Sequence, residues 1–189
     1  MTPTQTQLKQ YLQAMASFYA EPPAGYTYAS VSDLLLDRAV FDGSHEDRLT
    51  SEQKDFVTCA LRGTRARYKE CFGNSQQLAI ASDRFTYREG YAYSGLVPML
   101  HAWVLLDNQH VIDVTWRDRK QKPVRRIRGV VPPGWVYYGF TPPSATDRQM
   151  IQERLIRLKC WASYLDSDFF DDFEQKDLYK MPRMTAYSR

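Results

Sequence analysis

The sequence has little of what marks membrane, secreted or metal-binding proteins. No run approaches the ~20 consecutive apolar residues of a membrane-spanning helix. The N-terminal segment MTPTQTQLKQ lacks the basic start and apolar centre of a secretory signal. The three cysteines, Cys59, Cys71 and Cys160, are too few and too widely spaced for a disulfide framework or a CxxC-type zinc site. We therefore expect a soluble protein of the reducing cytoplasm, without a cofactor, a metal or a membrane partner.

The composition favours a globular protein. Hydrophobic residues make up 43% of the 189 residues, which is enough for a sizeable core and argues against global disorder. The net charge of +3 is too small to indicate a nucleic-acid-binding domain by itself. We predict one domain over residues 1–189.

The spacing of apolar residues changes from helical to alternating after Ser82. This change predicts helices over about 4–82 and an antiparallel sheet over about 84–140, followed by a helix over about 147–165 and a charged tail that is partly extended or disordered at its end. Helices first and an antiparallel sheet afterwards indicate an α+β fold. The strands are expected near residues 84–93, 101–106, 111–116 and 135–140.

Cys59 and Cys160 lie on apolar faces of predicted helices, and we expect both to be core residues. The helix that contains Cys59 is predicted to begin with Ser51 as its cap. Cys71 differs, because it lies at the predicted start of a helix in the segment KECFGNSQQLAIAS. There the positive end of the helix and its unpaired N–H groups stabilise a thiolate.

A reactive thiol requires a proton acceptor, and histidine suits this task near neutral pH. The histidine in turn needs an Asp or Asn that fixes its tautomer and stabilises the imidazolium. Cys71, His101 and Asp113 supply these three residue types in this order. Each alone has a simpler interpretation, such as a core thiol or a strand-end residue, but together they favour a catalytic triad. We expect them to meet in a cleft open to solvent.

The segment HAWVLLDNQHVIDVTW, residues 101–116, predicts a β-hairpin whose loop length decides whether the triad can form. A two-residue turn would put His101 and Asp113 on opposite faces of the sheet. A three-residue loop, for example Asp107–Gln109, would place Trp103 opposite Asp113 and make His101 its diagonal neighbour. Asn108 tolerates the left-handed backbone that such loops use. An odd-numbered loop, or an equivalent bulge, is therefore required.

This pattern resembles the transglutaminase-like branch of the papain-like cysteine-protease superfamily. The matching residues are Cys71, the HAW of His101–Trp103 and the DVT of Asp113–Thr115, and the resemblance covers roughly residues 65–140. It implies a core in which a helix bearing the Cys packs on an antiparallel sheet bearing the His and the Asp. It also implies acyl-thioester chemistry on an amide or peptide bond.

One expected feature of papain-like proteases is missing, since no Gln precedes Cys71 in LRGTRARYKEC to act as an oxyanion-hole donor. The Cys71 N–H could supply one donor, and Tyr68 or another residue would have to supply a second. Asn74 is expected to serve the first turn of its helix or to face substrate. Glu89 either precedes a bend at Gly90 or lines the cleft with Tyr91 and Tyr93. The candidates for the oxyanion hole or substrate cleft are Tyr68, Asn74, Trp103 and Trp116.

A basic segment directly follows Asp113 in the chain. It is either a solvated loop or a rim of the cleft that selects an acidic substrate or protein partner. The acidic segment SDFFDDFEQKD could lie against it, and nearby aromatic residues also permit single-stranded nucleic-acid binding, which we do not favour. The basic rim comprises Arg117, Arg119, Lys120, Lys122, Arg125, Arg126 and Arg128.

The sequence thus favours a cysteine-dependent amide-bond enzyme that acts on a peptide or protein amide through a thioester acyl-enzyme. Water as the second nucleophile would make it a protease, amidase or deamidase, and an amine would make it a transglutaminase. Hydrolysis is the simpler expectation. The alternative is a non-catalytic binding module on the same scaffold, which would engage nucleic acid or an acidic partner through residues 117–128. Similar short proteins occur in bacteria and their viruses, and we expect a prokaryotic or phage origin.

Overall fold

The computed structural model describes residues 1–19, 21–42, 49–64, 66–67, 69–115, 134–165 and 173–184. Within these ranges the chain is α+β, with helices packed on a curled antiparallel sheet of five strands. The helices are α1 (Pro3–Ser17), α2 (Val31–Arg38), α3 (Ser51–Gly63), α4 (Cys71–Ala81), α5 (Arg148–Leu158) and α6 (Phe173–Lys180). The strands are β1 (Val40–Asp42), β2 (Phe85–Tyr93), β3 (Met99–Leu106), β4 (His110–Ile112) and β5 (Val136–Phe140).

The strands lie in the order β1-β5-β2-β3-β4, and every neighbouring pair is antiparallel. The predicted α+β class and the antiparallel sheet are therefore confirmed. The centre of the sheet is the long β2–β3 hairpin, in which Gly90 pairs with His101. On its other side Gly90 pairs with Gly139 of β5.

The two glycines mark the closest approach of β2 and β5. A Cβ atom on Gly139 would lie 2.5 Å from the Glu89 carbonyl oxygen and 2.5 Å from Cη2 of Trp103. A Cβ atom on Gly90 would overlap the Tyr138 carbonyl oxygen. Both positions therefore require glycine, and the Trp103 indole covers the backbone at Gly139.

Side-chain caps set the starts of the helices. Thr2 and Thr50 each form a capping box with a Gln three residues later, at the starts of α1 and α3. We predicted Ser51 as the cap of α3, but Ser51 is its first helical residue and Thr50 is the cap. The predicted start of α4 at Cys71 is confirmed.

The main hydrophobic core lies between one face of the sheet and the helices. Every described helix contributes a fully or almost fully buried side chain to it: Leu8, Leu34, Val57, Leu78, Ile151 and Leu178. A smaller cluster on the opposite face contains Trp103 and Tyr137. Because side chains alternate along a strand, His101 shares this second face with Trp103.

Two strand predictions need correction. Strand β1 lies inside the region that we predicted to be helical, and it pairs with β5. Three residues are too few to show an alternating pattern, so sequence alone does not reveal such a strand. The strand predicted near 111–116 ends at Ile112, after which Asp113 and Thr115 make side-chain contacts instead.

The predictions for the C-terminal part were also too simple. Helix α5 ends at Leu158 rather than near 165, because Lys159 adopts a left-handed conformation with φ +56°. The tail contains α6, whose Tyr179 carbonyl accepts hydrogen bonds from the N–H groups of Thr27 and Tyr28. Part of the predicted charged tail is thus helical and bound to the rest of the chain, whereas its end at 185–189, predicted to be extended or disordered, lies outside the described residues.

Cys59 and Cys160 are exposed, which corrects their assignment to the core. The fully buried residue of α3 is Val57, and Cys59 lies two positions further along, turned away from the core. Cys160 follows the end of α5. Among the helices that the structure describes, none is long and apolar enough to cross a membrane.

Candidate active site

The hairpin between β3 and β4 closes through three residues. Leu106 pairs with His110, which leaves Asp107, Asn108 and Gln109 in the loop. The predicted odd-numbered loop is therefore confirmed. Asp107 and Asn108 have φ of +53° and +57°, the left-handed conformation that Asp and Asn tolerate best among non-glycine residues.

This register brings His101 and Asp113 together. His101 Nε2 lies 2.6 Å from Asp113 Oδ2, as expected for diagonal neighbours on one face of the sheet. The Asp113 carboxylate accepts two further hydrogen bonds, from the Thr115 main-chain N–H to Oδ1 at 3.0 Å and from the Tyr137 hydroxyl to Oδ2 at 2.8 Å. Three donors thus fix its position.

Cys71 approaches the same imidazole from the first position of α4. The Cys71 side chain is among the groups that raise the pKa of His101, so the two side chains lie close together. His101 Nε2 faces Asp113, and Nδ1 is the second nitrogen of the ring. The N-cap residue Glu70 makes no side-chain hydrogen bond to the first turn of α4. The first N–H groups of an α-helix have no partner within the helix, and Cys71 is the first residue of α4.

The three residues are more enclosed than the open cleft that we expected. Cys71 is 8% exposed, His101 4% and Asp113 6%. Burial lowers the pKa of His101, but the charge and hydrogen bond of Asp113, together with the Cys71 side chain, outweigh it and raise the pKa to about 10. The imidazole is therefore protonated at neutral pH, as an imidazolium between two groups that can carry negative charge.

Asn74 has its hydrogen-bonding groups engaged within the chain. Its Oδ1 accepts from the Arg67 main-chain N–H at 2.8 Å, and its Nδ2 donates to the Arg67 carbonyl at 2.7 Å and to Thr115 Oγ1 at 3.2 Å. The side chain is fully buried. Its amide donors are thus used for positioning the segment before Cys71 rather than being directed at a substrate.

Together these contacts link α4 to the β3–β4 hairpin. Asn74 binds Thr115, whose N–H binds Asp113, and Asp113 binds His101. Cys71 lies one helical turn before Asn74 and is among the groups that raise the pKa of His101. Thr115 entered the sequence analysis only as part of the DVT motif, and its hydroxyl and N–H are what join the helix to the aspartate.

Trp103, a predicted cleft residue, is fully buried and serves a different contact. Its Nε1 donates to Asp42 Oδ2 at 2.9 Å, and Arg88 holds the same carboxylate through two hydrogen bonds of 2.7 and 2.9 Å. Burial raises the pKa of Asp42, although the hydrogen bonds and charge of Arg88 oppose this. Asp42 and Arg88 gave no recognisable signal in the sequence, because they are 46 residues apart.

Glu89 lies on the face of the sheet opposite His101, so it does not line the triad. Its fully buried carboxylate accepts hydrogen bonds from the Tyr87 hydroxyl, the Ser163 hydroxyl and the N–H groups of Tyr164 and Leu165. Burial raises the pKa of Glu89, and these donors oppose the rise. The network fastens the segment after α5 to the sheet.

Several predicted site residues lie outside the described residues. Tyr68 and Trp116 are among them, as is the whole basic rim: Arg117, Arg119, Lys120, Lys122, Arg125, Arg126 and Arg128. The first half of the acidic segment, through residue 172, lies outside them as well. Within the described ranges, no group of three or more His, Cys, Asp or Glu residues is placed to hold a metal ion.

Comparisons of the chain with protein-family models, with curated proteins and with solved structures found no match. Any functional inference therefore depends on the geometry of the chain's own residues.

Proposed function

We propose that this protein is a cysteine-dependent amide-bond enzyme with a papain-like or transglutaminase-like core. Cys71 is the nucleophile, His101 the acid and base, and Asp113 the residue that orients His101. The observation that supports this most is one imidazole whose Nε2 binds a buried carboxylate, with a thiol at a helix start among the groups that raise its pKa. Elevation of the His101 pKa to about 10 supplies an imidazolium in this site. The proposed mechanism uses Cys71 as its thiolate, which is the nucleophilic form of Cys.

Acylation follows from this arrangement. The Cys71 thiolate attacks the carbonyl carbon of the amide, and the carbonyl oxygen becomes an oxyanion. We assign the Cys71 main-chain N–H and its neighbours in the first turn of α4 as the donors to that charge. The tetrahedral intermediate then collapses, the C–N bond breaks, and the imidazolium passes its Nδ1 proton to the leaving amine.

The neutral imidazole then serves the second step. It removes a proton from water, which attacks the thioester, and the C–S bond breaks to release the carboxylic acid and the thiolate. His101 regains its proton, so each turnover restores the ion pair. An amine in place of water would give transamidation by the same proton transfers. We propose that the reaction is hydrolysis of a peptide or protein amide in the cytoplasm. We also propose that the basic residues 117–128 bind an acidic partner protein or an acidic region of the substrate.

Alkylation with iodoacetamide tests the nucleophile, because the chain supplies its own controls. Cys59 and Cys160 are exposed, whereas Cys71 is nearly buried. On accessibility alone, the two exposed thiols should react first. We expect Cys71 to react fastest near neutral pH, as measured by peptide mapping, and this preference to vanish in His101→Ala while circular dichroism shows a folded chain. If Cys71 reacts no faster than the other two, the enzyme proposal is wrong.

Incubation with a peptide mixture and a primary amine identifies the reaction. New peptide termini indicate a protease, ammonia release an amidase or deamidase, and amine incorporation a transglutaminase. Each activity should disappear in Cys71→Ala. The other possible outcome is that neither the wild-type protein nor any variant shows one of these activities. If the wild-type protein then changes the mobility of single-stranded nucleic acid in a salt-sensitive way, the protein is a binding module.

A further inference from the structure

Tyr137 contacts the aspartate at the atom that holds the histidine. Its hydroxyl donates to Asp113 Oδ2 at 2.8 Å, and His101 Nε2 lies 2.6 Å from the same oxygen. The Tyr137 side chain is fully buried, and its ring packs edge-on against Trp103 with 5.1 Å between ring centroids. The His101 and Tyr137 ring centroids are 6.3 Å apart.

We propose that Tyr137 is a positioning residue of the active site, which acts through Asp113 to hold His101 as the cationic partner of Cys71. This inference rests on the proposed function and adds a fourth residue to the triad. The sequence pattern could not supply it, because Tyr137 lies on β5, two strands away from the strand that carries His101.

The hydrogen-bond geometry explains how the hydroxyl acts. Thr115 N–H binds Oδ1 of Asp113, and Tyr137 and His101 share Oδ2. Two donors besides the imidazole fix the plane of the carboxylate, so the remaining lone pair of Oδ2 is directed at Nε2. A donor at Oδ2 also stabilises the negative charge on the carboxylate in this buried site, where water is largely excluded.

Loss of the hydroxyl should weaken the contact between Asp113 and His101, because the carboxylate would be free to rotate away from Nε2. A displaced carboxylate stabilises the imidazolium less and makes it a poorer partner for Cys71. Asp42 and Arg88 form another charged pair on this face. Arg88 neutralises the charge of Asp42, and Asp42 also binds Trp103, so this pair should not replace the missing donor to Asp113.

The substitution Tyr137→Phe removes the hydroxyl and keeps the ring. Tyr138→Phe is a matched control, because Tyr138 is the next residue on β5, is equally buried and faces the main core beside Phe41. The rate of Cys71 alkylation by iodoacetamide is measured against pH for the wild type and both variants. The measurements are made at a temperature where unfolding curves show each protein to be almost entirely folded.

We expect Tyr137→Phe to slow alkylation near neutral pH by about tenfold, the size of one hydrogen bond to a charged group, and to move the midpoint of the pH profile upward. Tyr138→Phe should leave the profile unchanged. In an Asp113→Ala background, Tyr137→Phe should have little further effect, because its route to His101 is already lost.

Two results would overturn the inference about Tyr137 while leaving the proposed function intact. One is a Tyr137→Phe profile that coincides with the wild-type profile, or moves downward. The other is an equal effect in the wild-type and Asp113→Ala backgrounds. Failure of the proposed function is recognised separately, because Cys71 in the wild-type protein would then react no faster than Cys59 and Cys160.

Discussion

The side chain of Asn74 pairs with the main chain of Arg67 as one strand pairs with another. Oδ1 accepts the Arg67 N–H at 2.8 Å, and Nδ2 donates to the Arg67 carbonyl at 2.7 Å. A side-chain amide thus replaces a second strand at the point where the chain turns into α4. The position of Cys71 depends on this contact, because Cys71 lies between the two partners in sequence.

Replacement of Asn74 by Ala should therefore destabilise the protein. The change leaves the Arg67 N–H and carbonyl without their partner and should lower the free energy of unfolding by about 2–3 kcal/mol. Urea unfolding measures this loss. Gln77→Ala is the control, since Gln77 binds only the Gly73 carbonyl within its own helix, and its effect should be no more than about 0.5 kcal/mol. Equal effects of the two substitutions would refute this role of Asn74.

The protonation of His101 can be followed directly by NMR. Because its pKa is raised to about 10, the His101 ring signals should not titrate between about pH 5 and pH 8, where an ordinary histidine changes charge. The signals are assigned from the spectrum of His101→Asn. A transition near pH 6.5, the ordinary value for histidine, would show that the imidazolium is not stabilised in this site.

The same pKa predicts how stability depends on pH. A folded-state pKa above the unfolded value means that the folded protein binds the proton more tightly. The resulting stabilisation is fully present below about pH 6.5 and is lost as the pH rises to about 10. The difference in unfolding free energy between the wild type and His101→Asn should therefore shrink over this interval. A constant difference would contradict the expected ion pair.

Glu89 should matter for stability but not for the thiol. The four groups that bind the Glu89 carboxylate all donate hydrogen bonds to it. In Glu89→Gln, an amide N–H₂ would therefore face groups that need an acceptor. We expect a loss of about 2–3 kcal/mol in urea unfolding, with the alkylation rate of Cys71 unchanged. The carboxylate faces away from His101, so a selective loss of alkylation in the folded variant would reverse this assignment.

The sequence predicted those parts of the molecule that depend on neighbouring residues. The start of α4 at Cys71, the class of the fold and the three-residue loop between β3 and β4 follow from local spacing and turn preferences. The contact between His101 and Asp113 followed as well, because a hairpin register converts loop length directly into side-chain neighbours.

Contacts between distant segments could not be predicted in this way. Some donors to Asp113 and Glu89 come from distant strands and loops, and no spacing rule connects Tyr137 with residue 113 or Ser163 with residue 89. Strand β1 is stabilised by its pairing with β5, which lies almost a hundred residues later in the chain. The end of α5 at Leu158 carries no Gly or Pro signal either, because the left-handed C-cap is Lys159.

The close approach of β2 and β5 has a consequence for laboratory selection. At Gly90 and Gly139 the obstacle to a side chain is the backbone of the facing strand, so no compensating change elsewhere can create the room. A library randomised at both positions and selected for folding should return glycine at each. Gly63, at the end of α3, has open space around it, so a second library randomised there and selected in the same way should recover many residues. The two strand glycines should therefore be kept when the neighbouring residues of the candidate site are redesigned.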